Sequence, residues 1–221
     1  MSLLTFHGDP NLKAQRIAQV RAHRIADQLV HGIYWEKGKG CAVGCTIHSN
    51  DHHAYETELG IPEELAWMED HIFESLPNEA SMMWPERFLE AIPVGVDLRA
   101  THVNKRYVLA LLADEKRGLI ARTRNAETKK ASEETADLLR RGVAGEDVGK
   151  ELKDRAYLAY RAYLADLADL ADRAYLADLA YLADRAYLAY RADLADLAEI
   201  LLEVLAASAP SHLSVGVVGA K

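Results

Sequence analysis

Ala occupies every third position of residues 156–198, which read AYLAYRAYLADLADLADRAYLADLAYLADRAYLAYRADLADLA. Each Ala is followed by Tyr or Asp, and then by Leu or Arg. Ala, Leu and Arg are strong helix formers, whereas Gly and Pro, which disrupt helices, are absent between residues 150 and 209. The repeat therefore predicts a long, Ala-rich helical segment.

The apolar face of this predicted helix changes side partway along. A triplet advances about 300° around a helix of 3.6 residues per turn, so a given slot drifts steadily around the axis. In the first half the large apolar residues share one side: Tyr157, Tyr160, Tyr163, Leu164, Leu167 and Leu170. In the second half they lie about half a turn away: Leu176, Leu179, Tyr181, Tyr190, Leu194 and Leu197.

Two structures satisfy this change of face near residues 173–176. The segment either breaks into a helical hairpin, with Asp172 as the N-cap of the second arm, or continues as one helix of about 50 residues and about 75 Å. In a continuous helix the second face needs a partner, since exposed Leu and Tyr favour association. The simplest partner is a second copy, so we predict a homo-oligomer; the alternative is a repeat that lengthens a tolerated helix and has no role.

Outside the repeat, Val, Ile and Thr do not gather into a series of alternating runs, which argues against a β structure. We therefore predict an all-α protein: a multi-helix globular domain over residues 1–150, the repeat helix or hairpin over 151–208, and a flexible tail over 209–221. Capping signals and apolar spacing predict five helices before the repeat. These are residues 10–31, 62–76, 85–92, 98–116 and 126–141. The segment 41–48 reads as two helical turns or a short strand, followed by a turn at 49–53.

The charge and hydropathy of the chain indicate its cellular location and argue against certain classes of binding partner. A net charge of −8 argues against nucleic acid as the main partner. The chain has no apolar run near the roughly 20 residues of a membrane span, and its amino terminus does not have the pattern of a signal peptide. Two cysteines four residues apart do not make a secreted disulfide framework. We expect a cytoplasmic protein with both thiols reduced and no membrane partner.

One group of residues has the chemistry of a metal site. Cys41, Cys45, His48 and His52 are spaced by four, three and four residues, and His53 adds a spare imidazole. Thiolate and imidazole are the ligands that Zn²⁺ prefers, and four is the usual number. A single helix would spread them over about 16 Å, so a zinc site requires the chain to turn around residues 49–51. The alternative interpretation is two buried thiols and several surface histidines.

A second group of candidate ligands follows in the predicted helix 62–76. Glu69, Asp70, His71 and Glu74 could supply carboxylates to a metal, but the inward positions are assigned to an apolar stripe. That stripe comprises Leu65, Met68, Ile72 and Leu76. The pattern thus favours a charged outer face for these four residues.

These observations predict a helical interaction or assembly protein without catalytic activity, which self-associates through the repeat. No glycine-rich phosphate loop, Gly-x-Ser-x-Gly elbow or His-Glu-x-x-His motif occurs. The alternative is a zinc-type metal-binding protein, or a metal-dependent enzyme, that uses the Cys41, Cys45, His48, His52 and His53 cluster.

The block from about Gly40 to about Asp97 contains the motifs KGCAVGCTIHS (39–49), ELGIP (58–62) and PERFLEAIPVGVDL (85–98). It resembles a segment of uncharacterised bacterial proteins, some of which have comparable Ala-rich triplet tails. The resemblance covers about a quarter of the chain. It implies a bacterial origin and no particular activity.

Overall fold

The structure is a computed structural model that describes residues 3–154 and 195–210. Most of the repeat, residues 155–194, lies outside this part of the chain, as does the tail from residue 211. The choice between one helix and a hairpin, and the apolar face assigned to self-association, therefore concern residues outside the described ranges. The residues that flank the gap, 149–154 and 195–206, are helical.

The described residues are mainly helical, as predicted. A 3-10 helix (Thr5–Gly8) comes first in the described chain. It is followed by α1 (Pro10–Ile25), β1 (Trp35–Glu36), β2 (Lys39–Gly40), α2 (Ala42–Ile47), α3 (Ala54–Leu59), α4 (Glu63–Ser75), α5 (Asn78–Ala91), α6 (Val103–Ala113), α7 (Leu119–Arg122) and α8 (Ala126–Val143). The two short strands form an antiparallel hairpin that pairs Trp35 with Gly40. None of the helices in the described ranges is long and apolar enough to cross a lipid bilayer.

The chain divides into two compact units. Among the described residues, the first unit comprises residues 3–103 and 201–210, and the second comprises residues 104–154 and 195–200. The domain boundary predicted near residue 150 stays a prediction, because most of the segment beyond it lies outside the described residues.

The first unit has its core between α1, α2, α4 and α5. Helix α1 packs against α5 and α2, and α4 packs against the same two helices. The largest fully buried side chains here are aromatic: Phe6, Tyr55, Phe73, Trp84 and Phe88. Such side chains bury 150–250 Å² each, so they contribute much of the hydrophobic free energy of this unit.

Three helices differ from the sequence-based bounds. Helix α6 begins at Val103 instead of residue 98, after His102 in a left-handed backbone (φ 54°), and it ends at Ala113 instead of about residue 116. Helix α1 ends at Ile25 instead of about residue 31, because Asp27 adopts a left-handed backbone (φ 53°) that a helix cannot continue through. Helix α5 begins at Asn78 and includes Pro85, which the sequence places at a helix start. The proline removes one backbone hydrogen bond, but α5 buries Trp84, Phe88 and Leu89 on one face, and this burial outweighs the loss.

The second unit contains most of α6 together with α7, α8 and the helical residues up to Ile200. The side chain of Asn125 caps α8 by accepting hydrogen bonds from the backbone N–H groups of Glu127 and Thr128, at 2.9 and 3.0 Å. The hydroxyl of Tyr107 donates to the Leu197 carbonyl (3.4 Å), which fixes the end of the repeat against α6.

Candidate functional site

Cys41 immediately precedes α2 and is fully buried. The glycines on either side of it, Gly40 and Gly44, allow the hairpin to lie directly against α2. A Cβ atom would stand 2.1 Å from the Tyr34 carbonyl oxygen at Gly40, and 1.5 Å from it at Gly44. The Cys41 N–H donates a hydrogen bond to the Ile33 carbonyl (2.7 Å), which stabilises this close contact. The Gly-Cys-x-x-Gly pattern thus places Tyr34 beside the thiol-bearing end of α2.

His52 lies in the turn between α2 and α3, and only 3 % of its surface is exposed. Its imidazole stacks face to face on the Trp67 indole, with ring centroids 3.6 Å apart and planes 2° apart. The Tyr34 ring meets the same imidazole edge-on, at 5.4 Å. Two half-exposed aromatic side chains therefore cover a buried histidine.

Asp70 of α4 interacts with both the His52 imidazole and the Cys41 thiol. Its Oδ2 lies 3.4 Å from His52 Nε2, and only 6 % of Asp70 is exposed. Burial raises the pKa of the Cys41 thiol well above its usual value, and a hydrogen bond from this thiol to Asp70 contributes to the increase. The thiol is therefore protonated at neutral pH, which does not suit a nucleophile.

Glu69 lies beside Asp70 and is completely buried. Burial raises its pKa to about 8; a hydrogen bond from the Tyr55 hydroxyl opposes that increase, and the charge of Asp70 adds to it. The indole N–H of Trp84 donates to the Glu69 backbone carbonyl (3.0 Å), which fixes this turn of α4 in the core.

Two buried carboxyl oxygens of this site have no hydrogen-bond partner, Glu69 Oε1 and Asp70 Oδ1, and His52 Nε2 has only its 3.4 Å ion-pair contact with Asp70 Oδ2. Leaving such a group unsatisfied costs about 1–3 kcal/mol. In the described part of the chain, the groups that shift the pKa of Cys41, Tyr55 and Glu69 are thiol, hydroxyl, carboxyl and backbone groups, with no Lys or Arg among them. The site thus concentrates acidic groups, and the basic group that lies beside them is the His52 imidazole, 3.4 Å from Asp70.

The sequence-predicted zinc ligands lie in several environments. Cys45 donates to the backbone carbonyls of Gly40 (3.4 Å) and Gln28 (3.7 Å), and burial raises its pKa to about 12. His48 lies on the opposite end of α2, where its Nε2 is 2.7 Å from His23 Nε2. Of the predicted set, Cys41 and His52 share a neighbour in Asp70, while Cys45 and His48 have separate partners.

The fifth predicted ligand, His53, is exposed and its Nδ1 lies 3.2 Å from Glu63 Oε2. In the described ranges, only His53, Glu56 and Glu63 bring three ligand atoms within 4.8 Å of one another. Glu56 is also ion-paired to Arg99, so this group is part of a surface charge network. It has no buried unpaired atom that points to an ion.

The prediction that Glu69 and Asp70 lie on a charged outer face of α4 is wrong, because both are buried; His71 and Glu74 do lie on the exposed face. The sequence held a signal for Glu69. Leu65, Glu69, Ile72 and Leu76 are spaced by four, three and four residues, so Glu69 belongs to the inward stripe. Met68 also has helical spacing with Leu65, Ile72 and Leu76, at three, four and four residues. Because Met68 is apolar, the pattern favours it over Glu69 for the inward position.

No family model matches this chain, and no curated protein or solved structure matches it either. The geometry of the site is therefore the basis on which its function is argued.

Proposed function

We propose that this chain binds a zinc-type divalent cation through Cys41, His52 and Asp70, and that the ion stabilises the first unit. The observation that carries the proposal is the pair of unpartnered buried carboxyl oxygens, Glu69 Oε1 and Asp70 Oδ1, which lie in the same site as the Cys41 thiol and His52 Nε2. A cation bound among them would satisfy these oxygens and take the place of the protons held by Cys41 and Glu69.

The donor chemistry favours a transition metal over Mg²⁺ or Ca²⁺. Thiolate, imidazole and carboxylate are all ligands of Zn²⁺, whereas Mg²⁺ and Ca²⁺ take oxygen ligands. The soft sulfur of Cys41 is the discriminating donor. The Cys41 proton must leave when the metal binds, and so metal affinity should rise with pH.

The burial of the ligands favours a structural role for the ion. Structural zinc sites are closed by four protein ligands, whereas catalytic sites keep a position open for water. Cys41 and Glu69 are fully buried, and His52 and Asp70 are nearly so. Glu69 Oε1 is the fourth donor available, which supports a metal-stabilised protein without catalytic activity.

The ligands come from three different segments, and they must move to enclose an ion. Cys41 precedes α2, His52 lies in the next turn and Asp70 is on α4. Their ligand atoms are not all within 4.8 Å of one another, so binding would draw the segments together. The binding free energy would then add to the folding free energy.

The direct test is metal analysis of the full chain purified without an affinity tag, followed by thermal unfolding with and without added Zn²⁺. We expect about one equivalent of a transition metal, or a clear rise in Tm when zinc is added to the metal-free chain. Less than a tenth of an equivalent together with an unchanged Tm would exclude the proposal.

Self-association through the repeat is a second proposal, carried by the sequence. The apolar face rotates by about half a turn near residues 173–176, which leaves the second half in need of another surface. Truncation at residue 174 would be an unsuitable test, because it also removes Leu201 and Leu205, which are fully buried.

Substitutions within the repeat test self-association and leave the buried Leu201 and Leu205 in place. The double variant Leu176→Gln and Leu179→Gln changes the second apolar face, while Asp178→Gln and Asp184→Gln introduce the same residue on the opposite face. Sedimentation velocity should show that the first variant dissociates and that the second behaves as wild type. A wild-type chain that is monomeric at all concentrations tested would exclude the proposal.

A further inference from the structure

The Trp67 indole covers the His52 imidazole face to face. The two rings are parallel within 2°, and their centroids are 3.6 Å apart. The imidazole is 3 % exposed, while the indole that covers it is 49 % exposed. Trp67 therefore lies between His52 and solvent, and one face of the imidazole is fixed by the indole plane.

The indole itself is held in place. Its Nε1–H donates to Glu63 Oε1 at 3.2 Å, one helical turn earlier in α4. Trp67 and Asp70 lie on the same helix, three residues apart, so they move as one body. The helix that carries the carboxylate thus also carries the ring that orients the imidazole toward it.

From this geometry we infer that Trp67 is a positioning residue of the metal site: it holds the His52 ring with Nε2 toward Asp70, and it closes the site to solvent. This inference rests on the metal binding proposed above. Residues that orient a metal ligand typically contribute 10-fold to 100-fold in affinity. Here the orientation comes from ring stacking, in place of the usual hydrogen bond to the second imidazole nitrogen.

The chain offers a matched control in its other tryptophan–histidine stack. Trp35 stacks on His48 with centroids 4.5 Å apart and planes 15° apart. His48 is exposed and lies at the far end of α2 from Cys41. Removing either indole removes one stack on a histidine ring, but only Trp67 is stacked on a proposed ligand.

The experiment measures zinc affinity by competition with a chromogenic chelator, and zinc release by stopped-flow mixing with excess chelator. The full-length chain is compared with Trp67→Ala, Trp67→Phe and Trp35→Ala. We expect Trp67→Ala to raise the Kd for zinc by about 10-fold or more and to speed release. Trp67→Phe should restore most of the affinity, because a flat ring is retained, and Trp35→Ala should stay within about twofold of wild type.

The outcomes separate the two claims. A wild-type chain that binds no zinc overturns both the metal site and the role of Trp67. Zinc binding by wild type with an unchanged Kd in Trp67→Ala overturns the role of Trp67 alone. A folded Trp67→Phe variant as weak as Trp67→Ala would also overturn it, since an orienting ring would be present without effect.

Discussion

His52 Nε2 lies 3.4 Å from Asp70 Oδ2, with both side chains buried, and the same carboxyl contributes to the raised pKa of the Cys41 thiol. This relationship brings together three kinds of ligand atom from segments that are up to 29 residues apart, counted from Cys41 to Asp70. It also leaves two buried carboxyl oxygens, Glu69 Oε1 and Asp70 Oδ1, without a hydrogen-bond partner. The cation proposed above would satisfy them.

The proposed ligands can be separated from their neighbours by substitution. Cys41→Ser and Asp70→Asn should abolish the rise in Tm that zinc gives the wild type. For one site at about 100 times its Kd, that rise corresponds to about 2.7 kcal/mol. Differential scanning calorimetry with and without zinc provides the measurement.

Cys45→Ser is the control for this pair, because the Cys45 thiol is buried on the same helix but donates to the carbonyl of Gly40. It should retain the full response to zinc. If Cys41→Ser responded as the wild type does, the assignment of Cys41 as a ligand would be wrong.

Gly44→Ala should destabilise the first unit, although Ala is the better helix former by about 1 kcal/mol. A Cβ atom at this position would lie 1.5 Å from the Tyr34 carbonyl oxygen, so the hairpin must move away from α2. We expect a loss of about 3 kcal/mol in urea unfolding, at the upper end of ordinary overpacking. Gly149→Ala is the control, since its Cβ would make an ordinary contact of 3.5 Å with Asp147 Oδ1. Equal stability of the two variants would contradict the close approach.

Glu86→Gln should weaken the contact between α5 and α1. The Glu86 carboxylate accepts hydrogen bonds from Arg24 (2.6 Å) and Arg21 (2.7 Å) while its side chain is 6 % exposed. At pH 7 we expect a loss of about 1.5–3 kcal/mol, the usual contribution of hydrogen bonds to charged groups. Glu90→Gln, which removes a half-exposed pair with Arg21, should cost less than about 1 kcal/mol.

The same variant makes a prediction about pH. Burial alone would raise the pKa of Glu86, but the hydrogen bonds and charges of Arg24 and Arg21 outweigh it and hold the pKa below 4.5. Stability from this group is therefore present above pH 4.5 and is lost as the pH falls through the lowered pKa. The difference in unfolding free energy between wild type and Glu86→Gln should shrink in acid. A difference that stays constant would show that the carboxylate charge is not the cause.

His48 makes the unfolding free energy fall at mildly acid pH. Partial burial of the ring lowers its pKa, the charges of His23 and Arg16 lower it further, and Glu58 acts in the opposite direction. Because the folded chain holds this proton less tightly than the unfolded chain, stability falls as the pH drops below about 6.5 toward the lowered pKa.

His48→Asn is the suitable variant, since Asn tolerates the left-handed backbone found at this position (φ 53°). In the presence of a chelator, it should lose less stability between pH 7.5 and pH 5.5 than the wild type does. The measurement is urea unfolding at the two pH values, and an identical loss in both proteins would exclude His48 as the cause.

The sequence by itself determined the helical character of the described chain, the turn after α2 and the apolar stripe of α4. These features follow from local spacing, because side chains three or four residues apart share one face of a helix. It also singled out Cys41 and His52 as candidate metal ligands, which stays a prediction. The start of α5 could not be predicted from the sequence, because a proline such as Pro85 is typical of the first turn of a helix. In the structure α5 continues through Pro85, and the burial of the neighbouring side chains stabilises it there.

Only the tertiary structure decided which of the candidate metal ligands lie close together. Cys45 and His48 lie as near to Cys41 in sequence as any candidate, yet they bind backbone carbonyls and His23. Asp70 reads as a surface charge in its own helix and becomes buried because α2 and the His52 turn pack over it. Contacts between helices depend on loop paths and on side-chain packing, and local periodicity does not encode them.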